Sequence, residues 1–96
     1  MVAKRTPQAQ QDLIEIYLDS ARQFGQAQAE RYTAELNECI ELLASMPLMA
    51  RERTELRPVV RVHHHSSHVI AYQIDRDDIL IVRIVHGRRD WLREFQ

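Results

Sequence analysis

Residues 56–91 read LRPVVRVHHHSSHVIAYQIDRDDILIVRIVHGRRDW, and the alternation inside them decides the fold. Three runs, Val59 to His65, His68 to Ile74 and Ile79 to His86, are separated by the turn-prone pairs Ser66-Ser67 and Asp75 through Asp78. That is the pattern of a three-stranded antiparallel meander. On the middle run His68, Ile70, Tyr72 and Ile74 share one face, and Val69, Ala71 and Gln73 share the other. One face can be buried and the other left partly wet. The buried face needs a cover, which the first half of the chain has to supply.

Upstream, Val2 to Arg5 can form a short strand ending at Thr6-Pro7, with Thr6 as helix N-cap and Pro7 at the first helical position. Ala9, Leu13, Ile16, Tyr17, Ser20 and Phe24 then recur at helical spacing, and Gly25 supplies the terminating residue. A second helix starts between Gln26 and Ala29 and runs towards Met46, where Pro47 stops it. Its apolar stripe is Ala29, Tyr32, Thr33, Leu36, Ile40 and Leu43; Glu30, Glu38 and Glu41 form the wet face. So short a connection makes the two helices an antiparallel hairpin. Ile14, Leu18 and Ala21 add a second seam to helix one, and Cys39, Leu42 and Met46 widen the stripe of helix two. This surplus serves either as packing against both sheet and partner helix or as a groove for a partner peptide.

The segment Leu48 to Leu56 is charged and reads as a loop, with Pro58 at the start of the sheet. After Gly87, RRDWLREFQ has room for one or two turns of helix, with Trp91, Leu92 and Phe95 as docking side chains. The expected architecture is α+β, β-α-α-β-β-β, with a small mainly antiparallel sheet under a helical hairpin. Ninety-six residues at 45% apolar content suit one domain, residues 1–96, around one core.

Composition narrows the function. Cys39 is the sole cysteine, so no internal disulfide forms, which suits a reducing cytoplasm. No run approaches the ~20 apolar residues of a membrane span, and MVAKRTPQ lacks the apolar centre of a secretion signal. The net charge of -1 hides an asymmetry: residues 51–96 carry nine Arg against seven acids, and all five His. That is too mild for a dedicated DNA-binding domain and favours protein partners, with nucleic acid only inside a larger complex. With Gly25 and Gly87 the only glycines there is no phosphate loop, and no nucleophile-base-acid set is visible.

His63, His64 and His65 alternate across a strand without metal-ligand spacing to a Cys pair or carboxylate, and read as a solvent-facing run. His68 and His86 start and end neighbouring strands and can meet across the sheet. Arg61, Arg83, Arg88 and Arg89 are the stronger candidates. Alternation puts Arg83 with Ile79, Ile81 and Val85, where its guanidinium requires an anion. Asp12, Glu15 or Asp90 would make that an internal ion pair; a ligand would make it a binding residue.

The hairpin QAERYTAELNECIELLASMP, then ELRPVVRVHHHSSHVIAYQID, then ILIVRIVHGRRDW, resembles the ParE branch of the RelE/ParE toxin superfamily over nearly the whole chain. The resemblance implies a toxin of a type II toxin-antitoxin system that inhibits DNA gyrase without being an enzyme. It also implies a ParD-like antitoxin wrapping the toxin, DNA contact only through antitoxin or gyrase, and no cofactor. On that reading Arg83, Arg88, Arg89 and Trp91 face the target, and Ile14, Leu18, Tyr32, Leu36 and Tyr72 meet the antitoxin. The RelE branch shares the fold but cleaves mRNA on the ribosome; its counterparts here would be Arg61, His86 and Arg89. Phe95 stands where that branch has a tyrosine, and a phenyl ring cannot exchange a proton.

Overall fold

The structure is a computed structural model that describes residues 2–96. Its elements are β1 (Ala3–Arg5), α1 (Pro7–Phe24), α2 (Gln26–Ser45), a 3-10 turn (Pro47–Met49), β2 (Glu52–Arg53), β3 (Val60–His65), β4 (His68–Asp75), β5 (Asp78–His86) and a second 3-10 turn (Trp91–Phe95). The helical hairpin forms as its sequence signals require. Thr6 accepts from Ala9 N at 3.0 Å and donates its own hydroxyl to Val82 O at 2.8 Å, so one side chain both caps α1 and ties it to the sheet. Gly25 alone separates the helices, at φ +90°, a conformation that L side chains rarely adopt.

The meander is present as read, with β4 between β3 and β5. β1 joins the free side of β5 in parallel, Ala3 against Ile79. The sheet has five strands rather than the four expected, because Glu52 and Arg53 add β2 at the far edge, against Arg61 and Val60. This charged pair carries no alternation, so it read as loop.

Two cores result. Under the hairpin, Leu13, Ile16, Leu36, Ile40 and Leu43 pack on Ile70, Tyr72, Ile79, Ile81 and Ile84. On the opposite face Leu56, Val60, Ala71 and Phe95 form a smaller cluster, with Val62, Val82 and Trp91 against it. The second face is therefore covered, not partly wet: the C-terminal turn lies on it, with Arg57 N–H donating to Phe95 O at 2.6 Å. Phe95 is 1% exposed, a burial worth about 1.5–3 kcal/mol.

An irregularity in β5 sets the position of Arg83. Tyr72 faces Ile81 but Ala71 faces Arg83, so Val82 is an extra residue bulged out of the pairing. Beyond it, Ile84 rather than Val85 returns to the hairpin side. The face shared by Ile79, Ile81, Arg83 and Val85 in simple alternation is thus broken at the bulge.

Candidate functional site

β1 ends at Arg5, leaving the edge of β5 open from Val82 onward. α1 closes it with a carboxylate. Asp12 is 5% exposed and accepts from the Ile84 backbone N–H at 2.9 Å, taking the place of a strand partner. Arg83 grips the same carboxylate twice, Nε at 2.8 Å and Nη2 at 3.1 Å, and reaches Glu94 in the tail with Nη1 at 2.8 Å. The hydrogen bond to Asp12 raises the Arg83 pKa against the opposing effect of burial. Of the alternatives for Arg83, the structure holds the internal ion pair, with Asp12 as partner. Glu94 was not among the partners named from sequence. Arg83 fastens the tail; Arg88 and Arg89 beyond it are exposed and make no ion pair among the described residues.

Trp91 is half-buried, edge-on to His64 with ring centroids 6.1 Å apart and to Phe95 at 6.3 Å. The aromatic tail thus sets the Gly87–Asp90 turn, which carries both free arginines, against the end of the sheet.

Of the residues assigned to mRNA cleavage, Arg61 is kept apart from the other two, His86 and Arg89. Arg61 lies opposite Tyr72, which lies opposite Ile81, whereas His86 pairs with His68, four positions further along β4, roughly 13 Å at ~3.3 Å per residue. Arg61 is occupied with Ala50 O at 2.7 Å, and Phe95 is inside the second core. Arg89 lies nearer His86, its N–H donating to His86 O at 3.2 Å. No group of three or more His, Cys, Asp or Glu among the described residues is placed to hold a metal.

The expected antitoxin contacts divide. Ile14 and Leu18 are 46% and 43% exposed and line a groove of about 460 Å³ between the helices, with Tyr17 and Thr33. Thr33 Oγ1 in that groove is buried without a hydrogen-bond partner. Leu36 and Tyr72, in contrast, are fully buried; Tyr72 donates to Pro47 O at 2.8 Å. Neither has surface to offer a partner, because both side chains point into the core between hairpin and sheet. Tyr32 is half-buried and points elsewhere, its hydroxyl 2.6 Å from His68 Nδ1.

That contact belongs to a cluster missed as a unit by sequence reasoning, although His68 and His86 were expected to meet. They are paired residues on β4 and β5, with ring centroids 5.2 Å apart, and Tyr32 lies 5.4 Å from the His68 ring. Burial first, then the proximity of His86 and His65, pushes the His68 pKa from 6.5 down to about 4. Arg88 and Asp19 are the other charged groups around this cluster. The unfolded chain takes up a proton at His68 as pH falls below 6.5, while the folded chain resists until about 4. This contribution to stability is therefore complete above pH 6.5 and disappears across that window. With allowance for the solvent that reaches the ring, wild type should lose about 1–2 kcal/mol more than His68→Asn between pH 7 and 4.5 in urea melts. Equal losses would show that His68 is not the acid-sensitive group.

Comparisons with known proteins bear on this arrangement. The family described as "ParE toxin of type II toxin-antitoxin system, parDE" matches residues 3–91. The chain is 34% identical over 86 residues to Toxin ParE1 of Mycobacterium tuberculosis, covering 88% of each chain. To Toxin ParE1 of Caulobacter vibrioides it is 33% identical over 78 residues, covering 81% of this chain and 80% of that one. Among solved structures, a chain of the chromosomal ParDE TA system from P. aeruginosa superposes with a TM-score of 0.77 at 23% identity, over 90% of this chain and 95% of that one. The last likeness is one of fold.

Proposed function

This chain belongs to the ParE toxin family of type II toxin-antitoxin systems, and from that premise we propose that it inhibits DNA gyrase non-enzymatically and is neutralised by a ParD-type antitoxin. The observation that carries the non-enzymatic reading is the separation of Arg61 from His86 along the sheet, with Phe95 buried. Cleavage of RNA needs an acid and a base converging on one phosphodiester, and of the residues assigned to that role only His86 can exchange a proton. Target contact falls to the exposed pair Arg88 and Arg89 with Trp91, held in place by Arg83 through Glu94. The reading puts the chain in the cytoplasm with gyrase; no helix among the described residues is long and apolar enough to cross a membrane.

Expression without antitoxin tests it. Filamentation with DNA-damage signalling is expected, and His86→Ala should remain toxic. Immediate translation arrest that His86→Ala abolishes would instead establish the ribosomal endoribonuclease.

The antitoxin surface is assigned to the groove with Ile14 and Leu18 at its rim, one helical turn apart, and Thr33 at its wall. An amphipathic helix from the antitoxin would bury both apolar side chains. Ile14→Ser with Leu18→Ser should weaken antitoxin binding by about 10²-fold, at ~1.5 kcal/mol per buried side chain. Slightly more than half of each side chain is buried in the toxin alone, so the melting temperature should fall modestly and binding is compared at a temperature where circular dichroism shows the variant folded. Unchanged antitoxin affinity in a calorimetric titration would move the interface off this groove.

A further inference from the structure

A second cleft, of about 430 Å³, opens between the end of α1, the start of α2 and the Ser66-Ser67 turn. Half-buried Tyr32, His68 and His86 form its floor; exposed Phe24, Gln28 and Arg88 form its rim. Its hydrogen bonds determine which protons it offers. Tyr32 has one hydroxyl proton and two acceptors in reach, His68 Nδ1 at 2.6 Å and His65 O at 3.5 Å. With the hydroxyl proton directed to Nδ1, the shorter of the two contacts, His68 carries its own proton on Nε2. The Arg88 backbone N–H donates to His86 Nδ1 at 3.1 Å, which leaves His86 in the same tautomer. Among the described residues neither Nε2 has a hydrogen-bond partner.

Charge completes the pattern. Asp19, the one carboxylate on the lining, is held by Arg22 at 3.0 Å, whereas Arg88 has no ion-pair partner among the described residues. The cleft is therefore rich in donors, holds one guanidinium with no ion-pair partner among the described residues, and is walled by aromatic rings. A bare carboxylate or phosphate would use the donors but leave Phe24, 66% exposed, and the amides of Gln23 and Gln28 idle. A flat ring with polar edges and an attached oxyanion uses all of them, and the volume lies within the ~300–1,000 Å³ of small-ligand sites.

We propose that this cleft binds a nucleoside monophosphate, its phosphate on the Arg88 guanidinium and the two imidazole N–H groups, its base against Phe24. The side is distinct from the interhelical groove assigned to the antitoxin, so binding does not depend on that assignment. Nor does it depend on gyrase as the target.

The experiment is an NMR titration of the full chain, following the imidazole N–H signals of His68 and His86 with AMP, adenosine and inorganic phosphate as separate probes. AMP should shift both rings and saturate, with adenosine and phosphate each at least about tenfold weaker. Arg88→Gln should weaken AMP about tenfold, and Phe24→Ala should weaken AMP but leave phosphate unchanged. Both side chains are exposed, so thermal melts of the variants should match wild type and separate a binding defect from misfolding. Rings unmoved by about 10 mM AMP would overturn the proposal. Phosphate binding as tightly as AMP would do the same. Because the readout is binding by the isolated chain, a negative result here leaves the gyrase reading standing, and loss of the gyrase reading leaves this site standing.

Discussion

Asp12→Ala is expected to cost about 3–5 kcal/mol of folding stability, against a total of about 5–14 kcal/mol for a chain of this size. Two groups are orphaned at once. The Ile84 N–H loses its acceptor at the open edge of β5, and the Arg83 guanidinium, whose side chain is only 21% exposed, keeps Glu94 alone. A buried charge without its partner costs more than the pair contributes when intact. Asp12→Asn retains an acceptor for Ile84 and should cost about half as much. Arg83→Met combined with Asp12→Leu should lose less than the two single changes summed, since no charge is left stranded. Urea denaturation of the four proteins measures the coupling directly. A loss below about 1 kcal/mol for Asp12→Ala would mean that the contact behaves as an exposed surface bridge.

Arg88→Ala combined with Arg89→Ala is expected to abolish growth inhibition while leaving the fold intact. Charge-assisted hydrogen bonds contribute about 1.5–3 kcal/mol each, so removing both arginines should weaken target binding by about 10²- to 10⁴-fold. Neither side chain has a salt-bridge partner among the described residues, and both are exposed, so the chain loses no internal contact. The anchoring role of Arg83 makes a different prediction: Arg83→Ala should reduce toxicity only in step with the loss of tail order, visible as increased Trp91 fluorescence quenching. Plating assays on the double variant, with circular dichroism as the control for folding, decide the matter. Full toxicity of a folded double variant would remove this turn from the target interface.

What the sequence made legible was what local chemistry controls. Thr6-Pro7 and Gly25 bound α1 because capping and positive φ are requirements of single residues. The strands of the meander followed from alternation, and the need of Arg83 for an anion followed from the cost of leaving a guanidinium unpaired, although in the sequence Asp12 is one of three internal candidates beside a ligand. Features set by tertiary packing were not legible. Glu52–Arg53 pair with β3 without any apolar pattern of their own. The bulge at Val82 changes which side of β5 faces the hairpin, and no residue type announces it. Leu36 lies on the expected apolar stripe, yet its complete burial depends on Ile70, Tyr72 and their neighbours beneath it. The donor-rich cleft draws Tyr32 from α2, His68 from β4 and His86 from β5, residues that only the fold assembles.

The gyrase reading is tested most directly with purified components. Added to gyrase, relaxed plasmid and ATP, the wild-type chain should block supercoiling and accumulate cleaved plasmid, both reversed by a ParD-type antitoxin. Added to translating ribosomes, it should leave the message whole. Undisturbed supercoiling, together with transcripts cut on the ribosome, would contradict the account.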